Sequence, residues 1–93
     1  MSVAVRKAAA GDESLILGFI RELADYEKLS HEVVATPDHL TKTLLCDHPK
    51  AFALIAEADG AAIGFALYFF YYSTFLGKHG LYLEDLYVQA AHR

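Results

Sequence analysis

Cysteine is almost absent from this sequence, since Cys46 is the only one. A single cysteine excludes an internal disulfide and any metal cluster built on several thiolates, and it fits a reducing compartment. Basic residues are also scarce: eight Lys and Arg stand against twelve Asp and Glu, which gives a net charge of −4 without a basic cluster. A nucleic acid is therefore not an expected partner, whereas a cationic substrate suits the charge.

Long apolar runs are missing as well. The longest, residues 61–72, is well short of the ~20 residues that a membrane helix requires, and its β-branched and aromatic content is typical of a strand. The N-terminus lacks a charged segment followed by an apolar one, the pattern of a secretory signal. We predict a soluble cytoplasmic protein that neither spans a membrane nor binds one.

Familiar catalytic spacings are lacking too. The five histidines share no metal-ligand spacing such as i, i+4 on one helix. No serine lies in a nucleophile elbow, and no complete phosphate-binding glycine loop is present. Cys46 falls late in a predicted helix, which favours a small core residue over a nucleophile.

Apolar residues, in contrast, are abundant: they make up 55% of only 93 residues. The length allows one domain with little margin in its core. So rich a core in so short a chain indicates apolar surface that meets either a partner chain or more of the same chain.

Hydrophobic periodicity and turn residues predict six elements in the order β-α-α-β-β-β. Their predicted ranges are 2–6 (strand), 12–28 and 36–46 (helices), and 51–57, 62–72 and 80–88 (strands). Asp12 is a predicted N-cap for the first helix, and Thr36 with Pro37 begins the second. Ala58-Asp59-Gly60 is a predicted hairpin turn between the second and third strands. The order indicates an α/β or α+β fold, a mixed and largely antiparallel sheet with at least one helix on each face.

The last predicted strand places two adjacent carboxylates, Glu84 and Asp85, in an apolar setting. Burial of an unpaired charge is costly. Strand alternation puts Leu81, Leu83, Asp85 and Tyr87 on one face and Tyr82, Glu84, Leu86 and Val88 on the other. The two acids can share a pocket only if a bulge re-aims one of them. Otherwise one acid faces solvent and the other meets a lysine or backbone amides.

Several segments together resemble the general-control-related N-acetyltransferases, the GNAT superfamily, and within it the diamine (spermidine/spermine) and thialysine N-acetyltransferases. These segments are GLYLEDLYV at 80–88, STFLGK at 73–78, GFALY at 64–68 and ELADYE at 22–27. The likeness extends over all 93 residues, and its specificity rests on the joint occurrence of these pieces.

The resemblance implies transfer of an acetyl group from acetyl-CoA to a primary amine by direct attack in a ternary complex. It also implies a bulge in the fourth strand. Glu84 matches the acidic residue that deprotonates or orients the amine through water. Tyr26, Glu27 and Asp85 match positions around a polyamine, diamine or thialysine-like substrate.

The same resemblance implies that the backbone of Leu86, Tyr87 and Val88 contacts acetyl-CoA. Arg93 matches the first residue of the loop that binds the pyrophosphate of coenzyme A at a helix N-terminus. The sequence stops at this residue, and no tyrosine in it matches the family's general acid. We therefore expect residues 1–93 to form a single, partial N-acetyltransferase domain with little or no activity alone.

Two alternatives and one partner prediction complete the reading of the sequence. The fourth strand is predicted to be an apolar edge, which favours a homodimer paired through residues 80–88 or by strand exchange. One alternative function is a non-catalytic association module that has the sheet but lacks the half of the fold that binds the cofactor. The other is a domain that binds an amine through Glu84 and Asp85 without acetyl-CoA.

Overall fold

A computed structural model describes residues 2–93. The chain folds into four strands and two helices in the predicted order. They are β1 (Val3–Lys7), α1 (Glu13–Tyr26), α2 (Pro37–Thr43), β2 (Phe52–Ala58), β3 (Ala61–Ser73) and β4 (Lys78–Val88). Short 3-10 turns follow α1 at Ser30–Glu32 and β4 at Ala90–His92. No helix in this part of the chain is long and apolar enough to cross a membrane.

The four strands form one sheet in the order β1-β2-β3-β4, and every neighbouring pair is antiparallel. The strands β2, β3 and β4 follow one another as hairpins, whereas β1 meets β2 only after both helices. Asp59 and Gly60 join β2 to β3 with φ angles of 50° and 85°, as the predicted tight turn requires. The α+β class is therefore confirmed, and the sheet, which was predicted to be mixed and largely antiparallel, is antiparallel throughout residues 2–93.

Helix α1 follows from its apolar repeat, because Ile16, Leu17 and Phe19 are its buried residues. Asp12 does occupy the N-cap position, but its carboxylate does not cap the helix. It accepts two hydrogen bonds from the Arg6 guanidinium at 2.8 and 3.0 Å. The helix is thus tied to β1 at its start.

Helix α1 ends where Lys28 takes a φ of 60°. The N–H of Leu29 then donates to the Ala24 carbonyl at 2.7 Å and the N–H of Lys28 to the Asp25 carbonyl at 3.0 Å. This pattern is a Schellman motif formed without glycine. It fixes the direction in which the chain leaves the helix.

Helix α2 begins as predicted. The Thr36 hydroxyl accepts from the His39 N–H at 3.3 Å, and the His39 ring accepts from the Thr36 N–H at 3.1 Å. The helix ends at Thr43, three residues earlier than predicted, and the Lys50 N–H donates back to the Thr43 carbonyl. Cys46 is therefore exposed in a turn, so its prediction as a small core residue is wrong.

The hydrophobic core unites both helices with one face of the sheet. Its buried members are Ile16, Leu17, Phe19, Leu40, Leu44, Ala53, Ile55 and Phe65. We call this side of the sheet the helix face and the other the open face. Within residues 2–93 both helices lie on the helix face, instead of one on each side as predicted. On the open face Val5 and Leu86 remain 63% and 65% exposed.

Candidate active site

A bulge interrupts β4 at the predicted acid pair. Leu67 on β3 is opposite Asp85, and the next β3 residue, Tyr68, is opposite Leu83. Glu84 is the extra residue and has no partner on β3. The strand therefore contains the irregularity that the sequence required for both acids to serve one pocket.

The bulge also changes which side chains share a face. Asp85 and Tyr87 are opposite Leu67 and Phe65, so they lie on the helix face, and Tyr82 joins them before the bulge. The residues on the open face are Leu81, Leu83, Leu86 and Val88. The predicted grouping of Leu81 and Leu83 with Asp85 is wrong, because one inserted residue makes the later side chains of a strand point to the opposite face.

Three carboxylates meet beside the bulge. Asp85 is half-buried, and its pKa is raised above the usual value by burial and, in smaller measure, by the charges of Glu84 and Glu27. Glu84 itself is exposed. Neither Glu84 nor Asp85 forms a salt bridge with any residue in 2–93. The arrangement leaves an acidic site that is open to solvent.

The C-terminal end of α1 supplies the other side of this site. Tyr26 is the last residue of the helix and Glu27 its C-cap, and the Schellman motif holds both in place. Tyr26 is 69% exposed. The charge of Glu27 acts on Asp85, and Tyr26 precedes Glu27 at the end of the helix; the roles of these three residues in binding substrate remain predictions.

A hydrogen-bonded group that the sequence reasoning missed joins α1 to β4. The Tyr87 hydroxyl donates to the Glu22 carboxylate at 3.0 Å, and the Gln89 amide donates to the same carboxylate at 3.2 Å. The Tyr87 ring also packs against Phe19, with centroids 6.2 Å apart. Burial, followed by the hydrogen bond to Glu22, raises the pKa of the Tyr87 phenol. No local signal in the sequence marks this group, because Glu22 and Tyr87 are 65 positions apart.

Arg93 folds back onto the same site after the 3-10 turn. Its Nε donates to the Val88 carbonyl at 2.7 Å. Its guanidinium carbon lies 5.1 Å from the centroid of the Tyr26 ring and 5.6 Å from that of Tyr87. The predicted pyrophosphate contact of Arg93 stays a prediction.

The edge of β4 beyond the bulge has free backbone groups. The Gln89 N–H donates to the Ile63 carbonyl on β3, and hydrogen-bonding groups alternate sides along a strand. The N–H groups of Leu86 and Val88 therefore point away from β3, and those of Tyr87 and Gln89 point toward it. These two outward N–H groups can donate to carbonyl oxygens of a ligand that lies along the edge.

Two cavities accompany the sheet. One of about 560 Å³ lies near the start of β2 and is lined by Lys7, Cys46, Phe52, Tyr68 and Phe70 among others; none of the predicted site residues lines it. The other, of about 190 Å³, is on the open face, and all three predicted acetyl-CoA contacts, Leu86, Tyr87 and Val88, line it. In the described part of the chain no group of three His, Cys, Asp or Glu residues is placed to hold a metal ion.

Known proteins resemble this chain in sequence and in fold. The profile of the acetyltransferase (GNAT) family matches residues 16–93. Thialysine N-epsilon-acetyltransferase of Sus scrofa is 41% identical over 99% of this chain and 58% of its own length. Spermidine/spermine N(1)-acetyltransferase-like protein 1 of Homo sapiens is 38% identical over 96% of the chain and 14% of its own length. The chain thus spans about 58% of the thialysine relative.

Solved structures agree on the fold alone. A possible acetyltransferase from Clostridium difficile 630 superposes with a TM-score of 0.75 at 22% identity, over 100% of this chain and 61% of that one. An aminoglycoside acetyltransferase from an uncultured soil sample also has a TM-score of 0.75, at 18% identity. These two structures share the arrangement of strands and helices described above.

Proposed function

The chain belongs to the acetyltransferase (GNAT) family, and on this premise we propose that it forms the amine-binding side of an N-acetyltransferase that uses acetyl-CoA. The observation that carries the proposal is the bulge, which leaves Glu84 open to solvent beside a half-buried Asp85. The proposed acceptor is a primary amine on a polyamine, a diamine or a thialysine-like compound. The names of the two sequence relatives support that class of substrate.

The acidic site provides what an alkylamine requires. Such an amine has a pKa near 10.4, so it arrives charged and must lose a proton before it attacks a thioester. Asp85 and Glu27 attract the cation. Glu84, at the solvent side, accepts the proton through water. The pKa of Asp85 is raised by burial first and then by the charges of Glu84 and Glu27, and the positive charge of a bound amine would favour the ionised carboxylate, which supports this assignment.

The free edge of β4 is the proposed contact for acetyl-CoA, whose thioester supplies the activated acetyl group. The N–H groups of Leu86 and Val88 would hold the acyl or pantetheine carbonyls, and donors of this kind stabilise a developing oxyanion. The neighbouring residue Tyr87 shares the cavity on the open face. Arg93 would contribute a positive charge to the pyrophosphate.

We also propose a homodimer that pairs through the part of this edge before the bulge, residues 80–83, which the proposed acetyl-CoA contacts leave free. In residues 2–93 the strand β4 pairs only with β3, and Leu81 and Leu83 are 55% and 49% exposed. An unpaired apolar edge recruits a second strand.

This observation also favours the second candidate function, an association module without catalysis. Light scattering gives the mass of the particle, and calorimetry with coenzyme A separates the two functions, because the module would bind none.

Replacement of Glu84 by glutamine tests the enzymatic proposal. We expect Glu84→Gln in the full-length protein to lower kcat/KM for spermidine or thialysine about a hundredfold at pH 7, the low end of a general-base contribution. The loss should shrink as the pH approaches the pKa of the amine. Glu32→Gln, which removes an exposed carboxylate from the turn after α1, is the matched control. An unchanged rate for Glu84→Gln would remove this residue from the proposed role.

A further inference from the structure

We propose that Glu22 on α1 is a positioning residue for the proposed acetyl-CoA contacts. Its carboxylate holds Tyr87 and Gln89, and these two side chains hold the segment of β4 that follows the bulge. The N–H groups of Leu86 and Val88, which point outward from this segment, are thereby aimed at their ligand. The inference rests on the proposed function and adds to it a residue that would itself contact neither substrate.

One carboxylate accepts hydrogen bonds from two side chains at the end of β4. The Tyr87 hydroxyl donates to Oε1 of Glu22 at 3.0 Å, and the Gln89 amide nitrogen donates to Oε1 and Oε2 at 3.2 and 3.4 Å. Hydrogen bonds to an ionised acceptor are stronger than those between neutral groups. Within residues 2–93 Glu22 forms no salt bridge, so these bonds are the contacts that orient its carboxylate.

The buried face of α1 places Glu22 for this contact. Phe19 lies three residues before Glu22, so the two are neighbours on the helix surface. The buried ring of Phe19 packs against Phe65 and Tyr87, with centroid distances of 5.8 and 6.2 Å. The Tyr87 side chain therefore follows α1 from Phe19 to Glu22, where its hydroxyl meets the carboxylate.

Backbone pairing alone leaves one motion of this segment unrestrained. In residues 2–93 the segment is paired on one edge only, with β3 as far as Val88 and through the bond from the Gln89 N–H to the Ile63 carbonyl. The twist between paired strands varies widely among sheets, and a bulge such as that at Glu84 increases it locally. A change in twist swings the N–H groups on the outer edge.

Glu22 restrains this twist at two points. Tyr87 and Gln89 are two residues apart, so their side chains leave the same face of the extended chain at positions roughly 7 Å apart. Both reach the one carboxylate on α1, and the core holds that helix in place through Ile16, Leu17 and Phe19. A turn of the segment about its long axis would therefore pull both donors away from their acceptor.

The restraint reaches the proposed acetyl-CoA contacts through one rigid peptide unit on each side of Tyr87. Leu86 and Val88 are its neighbours in the strand, and a planar peptide transmits the orientation of one residue to the next. Donors that are already aimed bind a carbonyl without the cost of ordering them. Loss of Glu22 should therefore weaken the binding of acetyl-CoA.

The amine side of the site should be much less affected. The charges that act on Asp85 are those of Glu84 and Glu27, and neither of these side chains is hydrogen-bonded to Glu22 in the described part of the chain. The hydrogen bonds of Glu22 should therefore matter for one substrate only. This selectivity distinguishes positioning from a general loss of stability.

Two substitutions of Glu22 in the full-length protein separate its hydrogen bonds from its charge. Glu22→Gln removes the charge but keeps an oxygen for the Tyr87 hydroxyl and an amide that can pair with Gln89. Glu22→Ala removes the charge and both bonds. Calorimetry gives the Kd for coenzyme A, steady-state kinetics give the KM for each substrate, and circular dichroism verifies that every variant is folded at the temperature of the assay.

We expect Glu22→Ala to raise the Kd for coenzyme A and the KM for acetyl-CoA about three- to tenfold, the loss of one or two hydrogen bonds. Glu22→Gln should retain most of the affinity, and the KM for the amine should be the same in both variants. Glu32→Ala, which removes an exposed carboxylate from the turn after α1, should change none of these values. Equal losses in Glu22→Ala and Glu22→Gln would assign the effect to charge and overturn the proposal.

Tyr87→Phe provides a second arm, because it removes the hydroxyl and keeps the ring against Phe19. It should weaken the binding of coenzyme A in the wild-type protein and cost little more in Glu22→Ala, since the two changes break the same bond. Losses that simply add overturn the link between Glu22 and Tyr87. If Glu22→Ala does not fold, an unchanged Kd in Tyr87→Phe overturns the proposal by itself.

The outcomes also separate this inference from the function on which it rests. If the wild-type protein binds coenzyme A and acetylates the amine while the Glu22 variants bind coenzyme A as tightly as it does, the inference fails and the proposed function stands. If the wild-type protein binds no coenzyme A, the proposed function is refuted and the inference is refuted with it.

Discussion

Gly64 on β3 lies directly against the backbone of Tyr87 on β4. A Cβ atom at Gly64 would overlap the Tyr87 carbonyl oxygen and would lie 3.0 Å from the Cα of Val88. A residue without a side chain at this position lets the two strands approach closely. The close approach sets the position of the part of β4 that follows the bulge, where the proposed acetyl-CoA contacts lie.

Replacement of Gly64 by alanine should therefore destabilise the protein. We expect Gly64→Ala to lower the free energy of unfolding by about 1–3 kcal/mol, the usual cost of overpacking, in urea titrations. Gly18→Ala is the matched control, since a Cβ at Gly18 in α1 meets nothing within 4 Å. That change should stabilise by about 0.5–1 kcal/mol through helix propensity. Equal effects of the two variants would contradict the close approach.

The contact between Tyr87 and Glu22 predicts a shift in a phenol titration. The pKa of Tyr87 is raised above 10.0 by burial first and then by the hydrogen bond and the charge of Glu22. Glu22→Gln should lower this pKa part of the way, because burial remains. The ¹³C shift of the Tyr87 ring carbon against pH measures it, and Glu32→Gln should leave the curve in place.

Asp85 predicts a stability that depends on pH. Its pKa is raised in the folded protein, so folding favours the protonated form and the ionised carboxylate destabilises the fold at neutral pH. Asp85→Asn should increase the free energy of unfolding at pH 7. The gain should disappear below the ordinary pKa of 3.8, where the wild-type group is protonated in both states. A gain that persists at pH 3 would exclude this origin. Asp47→Asn, in an exposed turn, is the control.

Asp12 should behave in the opposite way. Its hydrogen bonds with Arg6 lower the pKa of the carboxyl below its usual range. The carboxylate therefore makes its full contribution to stability at pH values above the pKa that it has in the unfolded protein. This contribution is lost as the pH falls through the lower pKa of the folded protein. Asp12→Asn should destabilise the protein at pH 7, and the deficit should shrink under acid conditions. Thermal unfolding at several pH values measures it.

A more exposed ion pair supplies the comparison for Asp12. The Asp12 side chain is 15% exposed, whereas the Asp38 side chain, which pairs with Lys42, is 68% exposed. Asp38→Asn should therefore have the smaller effect, because solvent screens an exposed pair. A larger effect of Asp38→Asn would place the stabilising contact elsewhere.

Local signals in the sequence predicted most of the fold. Apolar spacing located both helices, Thr36 and Pro37 located the start of α2, and Asp59-Gly60 located the turn before β3. These features depend on neighbours within a few residues, which a sequence displays directly. The end of α2 was missed because it depends on a hydrogen bond from Lys50, seven residues further along.

The site was predictable only in part. Two acids in an apolar strand left two possibilities, a bulge or one acid facing solvent, and only the resemblance to a known family favoured the bulge. The side chains after the bulge were grouped with the wrong side chains before it, because the inserted residue decides to which face of the sheet every later side chain points. The contact of Glu22 with Tyr87 joins residues 65 positions apart, and no local pattern encodes such a pair. The hydrogen bonds between Arg6 and Asp12 could not be predicted either, because they depend on how β1 packs against the start of α1.

The order of the strands has a consequence for how the chain reaches its structure. Strands β2, β3 and β4 are joined by short turns, so they can pair soon after collapse, whereas β1 must close a loop of about fifty residues to reach β2. Loop closure of this length slows the arrival of the outer strand. We expect the hairpins to form the folding nucleus, and the acidic bulge to be shaped before the first strand docks.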